Sequence, residues 1–117
     1  MNLDDLDLEL LSSLTHLPGL PGREAAVANQ IRASLPLGCE VHQDPLGNLT
    51  AHIPGKGKRV MLISHMDEVG LIVRRITPDG YLRVERMGGM TVRALPGATL
   101  TLWTETGSFP AVVGVLP

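Results

Sequence analysis

The sequence predicts an α/β fold that gives way, just past its midpoint, to an all-β texture. Three observations carry this. Leu3, Leu6, Leu10 and Leu14 recur at helical spacing near the start. Val60-Met61-Leu62-Ile63 is apolar without alternation, as in a strand buried on both faces of a parallel sheet flanked by helices. From Val69 onward, short alternating runs separated by turn residues follow one another with no helix signal, the pattern of a small β-barrel or sandwich.

The elements follow in order. The leucines share their stretch with Asp4, Asp5, Asp7 and Glu9, acids that favour a helix N-terminus. The breaker cluster His16-Leu17-Pro18-Gly19 ends this first helix. A second helix is expected from about Gly22-Arg23-Glu24 to Leu35, with Val27, Ile31 and Leu35 as its apolar stripe and Pro36 and Gly38 as its stop. Cys39 to Gln43 reads as a short strand, Asp44-Pro45-Leu46-Gly47-Asn48 as a turn, and Leu49 to Ile53 as a half-exposed strand. A loop over Pro54 to Lys58 leads into the apolar Val60–Ile63 strand. Beyond it, strands are expected at Val69 to Ile76, Tyr81 to Glu85, Val92 to Leu95, Thr99 to Thr104 and Ala111 to Leu116. Pro78-Asp79-Gly80, Met87-Gly88-Gly89, Pro96-Gly97 and Thr106-Gly107 punctuate them.

Composition narrows the function classes. A chain of 117 residues with 44% hydrophobic residues is sized for one modest globular domain. Ten basic against 12 acidic residues leave a net charge of -2, without the basic excess that nucleic acid or an anionic membrane selects. The lone Cys39 cannot form an internal disulfide and suits a reducing cytosol. Met1 is followed by acidic residues where a secretory leader is basic, and no apolar run reaches the ~20 residues of a membrane span. The expectation is a cytoplasmic protein.

The polar chemistry concentrates in histidines. His42-Gln43-Asp44 and His65-Met66-Asp67 share one spacing, so context separates them. His42 leads into a turn that Asp44 is suited to shape. His52 falls on the polar side of its strand, and His16 at a helix end. His65 instead follows the run that reads as fully buried, and ligands of open α/β sheets gather beyond the carboxyl ends of strands. A histidine there can offer one ring nitrogen to a metal while Asp67 curls back to the other and fixes the tautomer. On position alone, a polar β-turn between two strands is an equal reading.

Several stretches together resemble a known family. Leu17-Pro18-Gly19-Leu20-Pro21-Gly22-Arg23-Glu24, Asp44-Pro45-Leu46-Gly47-Asn48, Ser64-His65-Met66-Asp67-Glu68-Val69-Gly70 and Met87-Gly88-Gly89 occur in order and at matching spacing. They resemble the N-terminal part of the dinuclear metalloaminopeptidases of the glutamyl and deblocking type, including those that assemble as tetrahedral TET particles. Pro21 departs from the family's more usual serine, at a helix entry. The resemblance implies the N-terminal part of a zinc-peptidase-like α/β sheet domain over residues 1–68, then the start of a small inserted β-barrel used in assembly over 69–117. It implies His65 as a ligand of one of two divalent metal ions, zinc first and cobalt second, and Asp67 as the catalytic residue that orients it. Glu68 is not carried over as a ligand.

The resemblance also implies what is missing. A two-metal hydrolase needs a bridging carboxylate, further ligands and a general base, and in the family these lie downstream of the β insertion. The expectation is therefore a truncated metal-dependent aminopeptidase, inactive alone and binding metal weakly or not at all. Its parent would cleave N-terminal residues from peptide substrates and form a homo-oligomer, dimer or larger shell, through the β-domain, with no nucleic-acid or membrane partner. The alternative is a non-catalytic assembly or binding module derived from such a peptidase.

Overall fold

A computed structural model describes residues 3–115, with side chains from Leu8 onward. The described residues form two α-helices and six strands, and the chain divides by its internal contacts into two compact units, Met1–Glu68 and Val69–Pro117.

In the first unit, helix α1 spans Leu3–Thr15. The Leu3 and Leu6 side chains and those of Asp4, Asp5 and Asp7 lie outside the described residues. At its C-terminal end, side chains of the last turn and of His16 satisfy carbonyls that the helix leaves open. Ser13 Oγ donates to Leu10 O at 2.7 Å, and Thr15 Oγ1 and His16 Nδ1 both donate to Ser12 O, at 3.1 and 2.7 Å. Pro18 then disfavours a helical Leu17. Helix α2 is shorter than its pattern suggests, Ala25–Ser34, because Leu35 is extended ahead of Pro36. It supplies the buried centre of the unit, Val27 and Ala28, 7% and 1% exposed. Gln30 Nε2 donates to Ser13 Oγ of α1 at 3.2 Å.

Strands β1 (Glu40–Gln43) and β2 (Leu49–His52) form an antiparallel hairpin, Glu40 opposite His52 and Gln43 opposite Leu49. Asp44 makes the turn. Its Oδ1 accepts from the backbone N–H groups of Leu46 and Asn48, both at 2.9 Å, and Oδ2 from Asn48 Nδ2 at 2.8 Å. The hydrogen bond from the Asn48 side chain, reinforced by the backbone donors, holds the Asp44 carboxyl below the ordinary aspartate value.

The expected Val60–Ile63 strand is corrected: these residues lie in no strand and are 80–92% exposed. A strand needs a neighbour for its N–H and C=O groups. Every described strand is already paired with the one adjacent in sequence, and no parallel pair occurs among the described residues.

The second unit holds two further antiparallel hairpins. Strand β3 (Gly70–Ile76) pairs with β4 (Leu82–Met87), the register slipping by one between Val73 and Arg75. Arg74 is thus a bulge, its Nε 3.1 Å from Glu85 Oε2, and Arg75 stands directly opposite Arg83. Gly88, just past β4, has φ +78, and a Cβ built there would lie 2.8 Å from Val69 Cγ1. Strand β5 (Thr99–Thr104) pairs with β6 (Gly107–Val112).

Two strand expectations change here. Val92–Ala94 is a 3-10 turn, because the N–H groups of Ala94 and Leu95 bond three residues back, to Thr91 O at 3.0 Å and Val92 O at 3.1 Å. The last strand begins at Gly107, not Ala111, since the Glu105-Thr106 turn makes Gly107 the partner of Thr104. Leu116 lies outside the described residues. The hairpins are separate two-stranded sheets, so the expected barrel is not closed among the described residues.

Candidate functional site

The site is built from two loops of the first unit. One is the breaker-rich segment after α1. Pro18 and Gly19 carry the chain away from the helix, Arg23 N bonds Leu20 O at 2.7 Å, and Gly22 N bonds Glu24 Oε1 at 2.9 Å at the entry to α2. The other is His65 to Glu68, at the end of the exposed apolar run. They meet where Glu68 N donates to Gly19 O at 2.7 Å. Gly19 is buried, and its lack of a side chain is required. A Cβ there would stand 3.2 Å from both Met66 O and Val27 Cγ2.

Asp67 is thereby bracketed, its preceding carbonyl lying over Gly19 and its following N–H neighbour bonded to Gly19. From that position it faces His65. His65 Nδ1 lies 3.0 Å from the Asp67 carbonyl oxygen and 3.2 Å from Asp67 Oδ1. A carbonyl oxygen only accepts, so Nδ1 carries the proton. In the neutral ring the lone pair then sits on Nε2. The His65 side chain is 84% exposed and that of Asp67 43%, which leaves Nε2 open to a ligand. In such exposure the ion-pair component contributes little to stability.

Each of the other histidines has a structural place. His16 closes α1. His42 stands opposite Thr50 on β1, and His52 Nδ1 lies 3.0 Å from Glu40 Oε2 across the same hairpin. Cys39 is a half-buried free thiol. Among the described residues, no group of three or more His, Cys, Asp or Glu side chains is gathered closely enough to hold a metal ion. His65 therefore fits a metal as one ligand, not as a complete site. Within the second unit, a hollow of about 310 Å3 is lined largely by Leu71, Val84, Val92, Leu95 and Val113. Its one charged lining group, Arg86, donates to Met90 O at 3.1 Å.

Sequence reasoning missed Gly19 as part of this site. The signal was present in the Pro18-Gly19 breaker, but a backbone contact to a distant loop has no side-chain signature.

Comparison with known proteins adds the wider frame. The family described as M42 glutamyl aminopeptidase matches residues 47–117. The chain is 38% identical over 114 residues to lysyl aminopeptidase of Pyrococcus furiosus, covering 96% of this chain and 33% of that protein. It is 35% identical over 112 residues to glutamyl aminopeptidase of Lactococcus lactis, covering 92% of this chain and 32% of that one. Among solved structures, an aminopeptidase from Desulfurococcus kamchatkensis superposes with a TM-score of 0.89 at 29% identity, over 99% of this chain and 33% of its own. The TET1 peptidase of Pyrococcus horikoshii, which can assemble into a tetrahedron or a large octahedral shell, superposes with a TM-score of 0.83 at 32% identity, over 94% and 33%. The chain thus spans about a third of the length of the relatives it matches.

Proposed function

Because this chain belongs to the M42 glutamyl aminopeptidase family, we propose that it supplies one metal ligand and its orienting group to a metal-dependent aminopeptidase, which hydrolyses N-terminal residues from peptides. One observation carries the reading: His65 Nδ1 is occupied by both acceptors of Asp67. The neutral ring then presents Nε2, the protonation state that a metal-ligating imidazole requires. His65 is the ligand and Asp67 the residue that fixes its tautomer and ring plane.

A divalent ion held there, zinc first and cobalt second, supplies Lewis-acid polarisation of the scissile carbonyl. A complete site takes about four ligands per ion. The remaining donors and the general base come from outside the described residues, so these residues by themselves bind metal weakly and do not turn over substrate. Residues 1–68 act as part of the catalytic domain. Residues 69–117 belong to an assembly domain through which copies of the protein associate, in a cytoplasmic setting that suits the free Cys39. A second reading, a non-catalytic assembly module, is favoured by the exposed Trp103, Phe109 and Val112 of the β5–β6 hairpin.

The test joins residues 1–117 to the C-terminal remainder of the Pyrococcus furiosus relative and measures metal content and hydrolysis of a panel of aminoacyl substrates. Metal-dependent hydrolysis is expected. Asp67→Ala should lower it by about 10–100-fold, as loss of groups behind a ligand does, and His65→Ala by more. A joined chain that stays inactive with metal bound favours the assembly module; full activity in His65→Ala rules out the ligand assignment.

A further inference from the structure

The loop that carries His65 is held at a place the chemistry above does not use. The carbonyl of Asp67 and the N–H of Glu68 belong to one peptide group, which is planar and rigid. On one side that plane bonds Gly19, with Glu68 N donating to Gly19 O at 2.7 Å. On the other it bonds His65, with Nδ1 donating to Asp67 O at 3.0 Å. We propose that Gly19 is a positioning residue for His65. Its carbonyl fixes the plane of the Asp67–Glu68 peptide, and that plane sets the orientation and tautomer of the His65 ring.

Three features support this. A rigid peptide cannot turn its N–H without turning its C=O, so anchoring one anchors the other. Hydrogen bonds in such a chain also polarise one another, which strengthens acceptance at Asp67 O. Finally, Gly19 lies against the best-buried part of the unit. The Cβ it lacks would stand 3.2 Å from Met66 O and from Val27 Cγ2, and Val27 is 7% exposed. Any side chain at 19 has to push either the helix or the His65 loop. The loop, exposed on its far side, is the part free to give. The inference rests on the reading of His65 as a ligand, because orientation of this ring matters only if Nε2 has a partner.

The experiment uses the full 117-residue chain, 15N-labelled, without metal, at a fixed pH where the imidazoles are neutral. Long-range 1H–15N correlation of the His65 ring reports which nitrogen carries the proton. The wild-type chain is expected to show a single Nδ1-protonated form. Gly19→Ala should lose it, giving a mixture of both tautomers, while Glu68→Ala, which keeps the N–H donor, should retain it. Val27→Ala, which loosens the core without adding a Cβ at 19, should lower stability and leave the tautomer unchanged. Should Gly19→Ala fail to fold, Glu68→Pro removes the same hydrogen bond from the loop side and should give the same mixture.

A folded Gly19→Ala or Glu68→Pro that keeps the Nδ1-protonated form overturns the positioning role. So does a Val27→Ala chain that loses it to the same degree. A wild-type chain that is itself mixed or Nε2-protonated would instead count against the ligand reading, which separates the two failures.

Discussion

Replacing Gly88 by alanine tests whether the close approach of the loop after β4 to Val69 is a real constraint. Two costs add. At φ +78 an L-residue sits in the left-handed region, at about 1–2 kcal/mol. The new Cβ also lies 2.8 Å from Val69 Cγ1, with Val69 Cβ and Cα at 3.5 and 3.6 Å. Val69 is β-branched and stiff at χ1, but it is half exposed, so it can turn away at about 0.5–1.5 kcal/mol. Alanine returns about 0.4–1 kcal/mol by stiffening the unfolded chain. The net loss is about 2 kcal/mol. Urea unfolding followed by the fluorescence of Trp103, the single tryptophan and a β5 residue of the same unit, measures it. Val69→Ala removes the atom in the way. The Gly88→Ala/Val69→Ala chain should therefore recover about 0.5–1.5 kcal/mol relative to the sum of the two single changes. A loss in Gly88→Ala below about 0.5 kcal/mol, with no coupling to Val69, would refute both the backbone and the contact arguments.

Other perturbations address other parts of the molecule. The folded Asp44 carboxyl is held below its ordinary value, so its contribution to the first hairpin is present above that value and is lost as pH falls through the folded one. A carboxyl 13C titration should show this depression, and Asn48→Ala should remove most of it. Arg75→Glu replaces a like-charge pair facing Arg83 by an opposite pair and should stabilise the second unit by about 0.2–1 kcal/mol. The gain should shrink in high salt; equal unfolding midpoints at low salt would contradict the register. The exposed Val60–Ile63 run should drive association with rising concentration in sedimentation experiments. Ile63→Lys should reduce it while changing stability by no more than about 0.5 kcal/mol, and unchanged association would show that the run is not responsible.

What was legible in the sequence was what is settled locally. Asp44 to Asn48 states its own turn, because the side chain that makes it lies within the turn. The helix stops at Pro18 and Pro36 act on the residue just before them. His65 and Asp67 were readable as a pair from context and not from spacing, since His42 and Asp44 stand equally far apart and the Asp44 carboxylate is spent on its own turn. The Val60–Ile63 run was misread because continuous apolarity states a need for cover, and the described chain has no free strand to meet it. Val92 was misread because one β-branched residue is outweighed by local bonds to Thr91 and Val92 carbonyls. The start of β6 was placed by apolar content, whereas the two-residue turn before Gly107 dictates register and draws Pro110 into a two-stranded ladder that tolerates it. Gly19 stayed invisible because its contribution is a carbonyl.

The pairing of each strand with its nearest sequence neighbour has a kinetic consequence. Each hairpin closes over a short stretch of chain, and such hairpins form in about 1–10 μs. The bond between Gly19 and Glu68 must instead close over both α2 and the β1–β2 hairpin, and the entropic cost of closure rises with the length enclosed. The His65 loop therefore docks late, after the elements it encloses have formed. Substitutions at that junction should then quicken unfolding while leaving the folding rate nearly untouched.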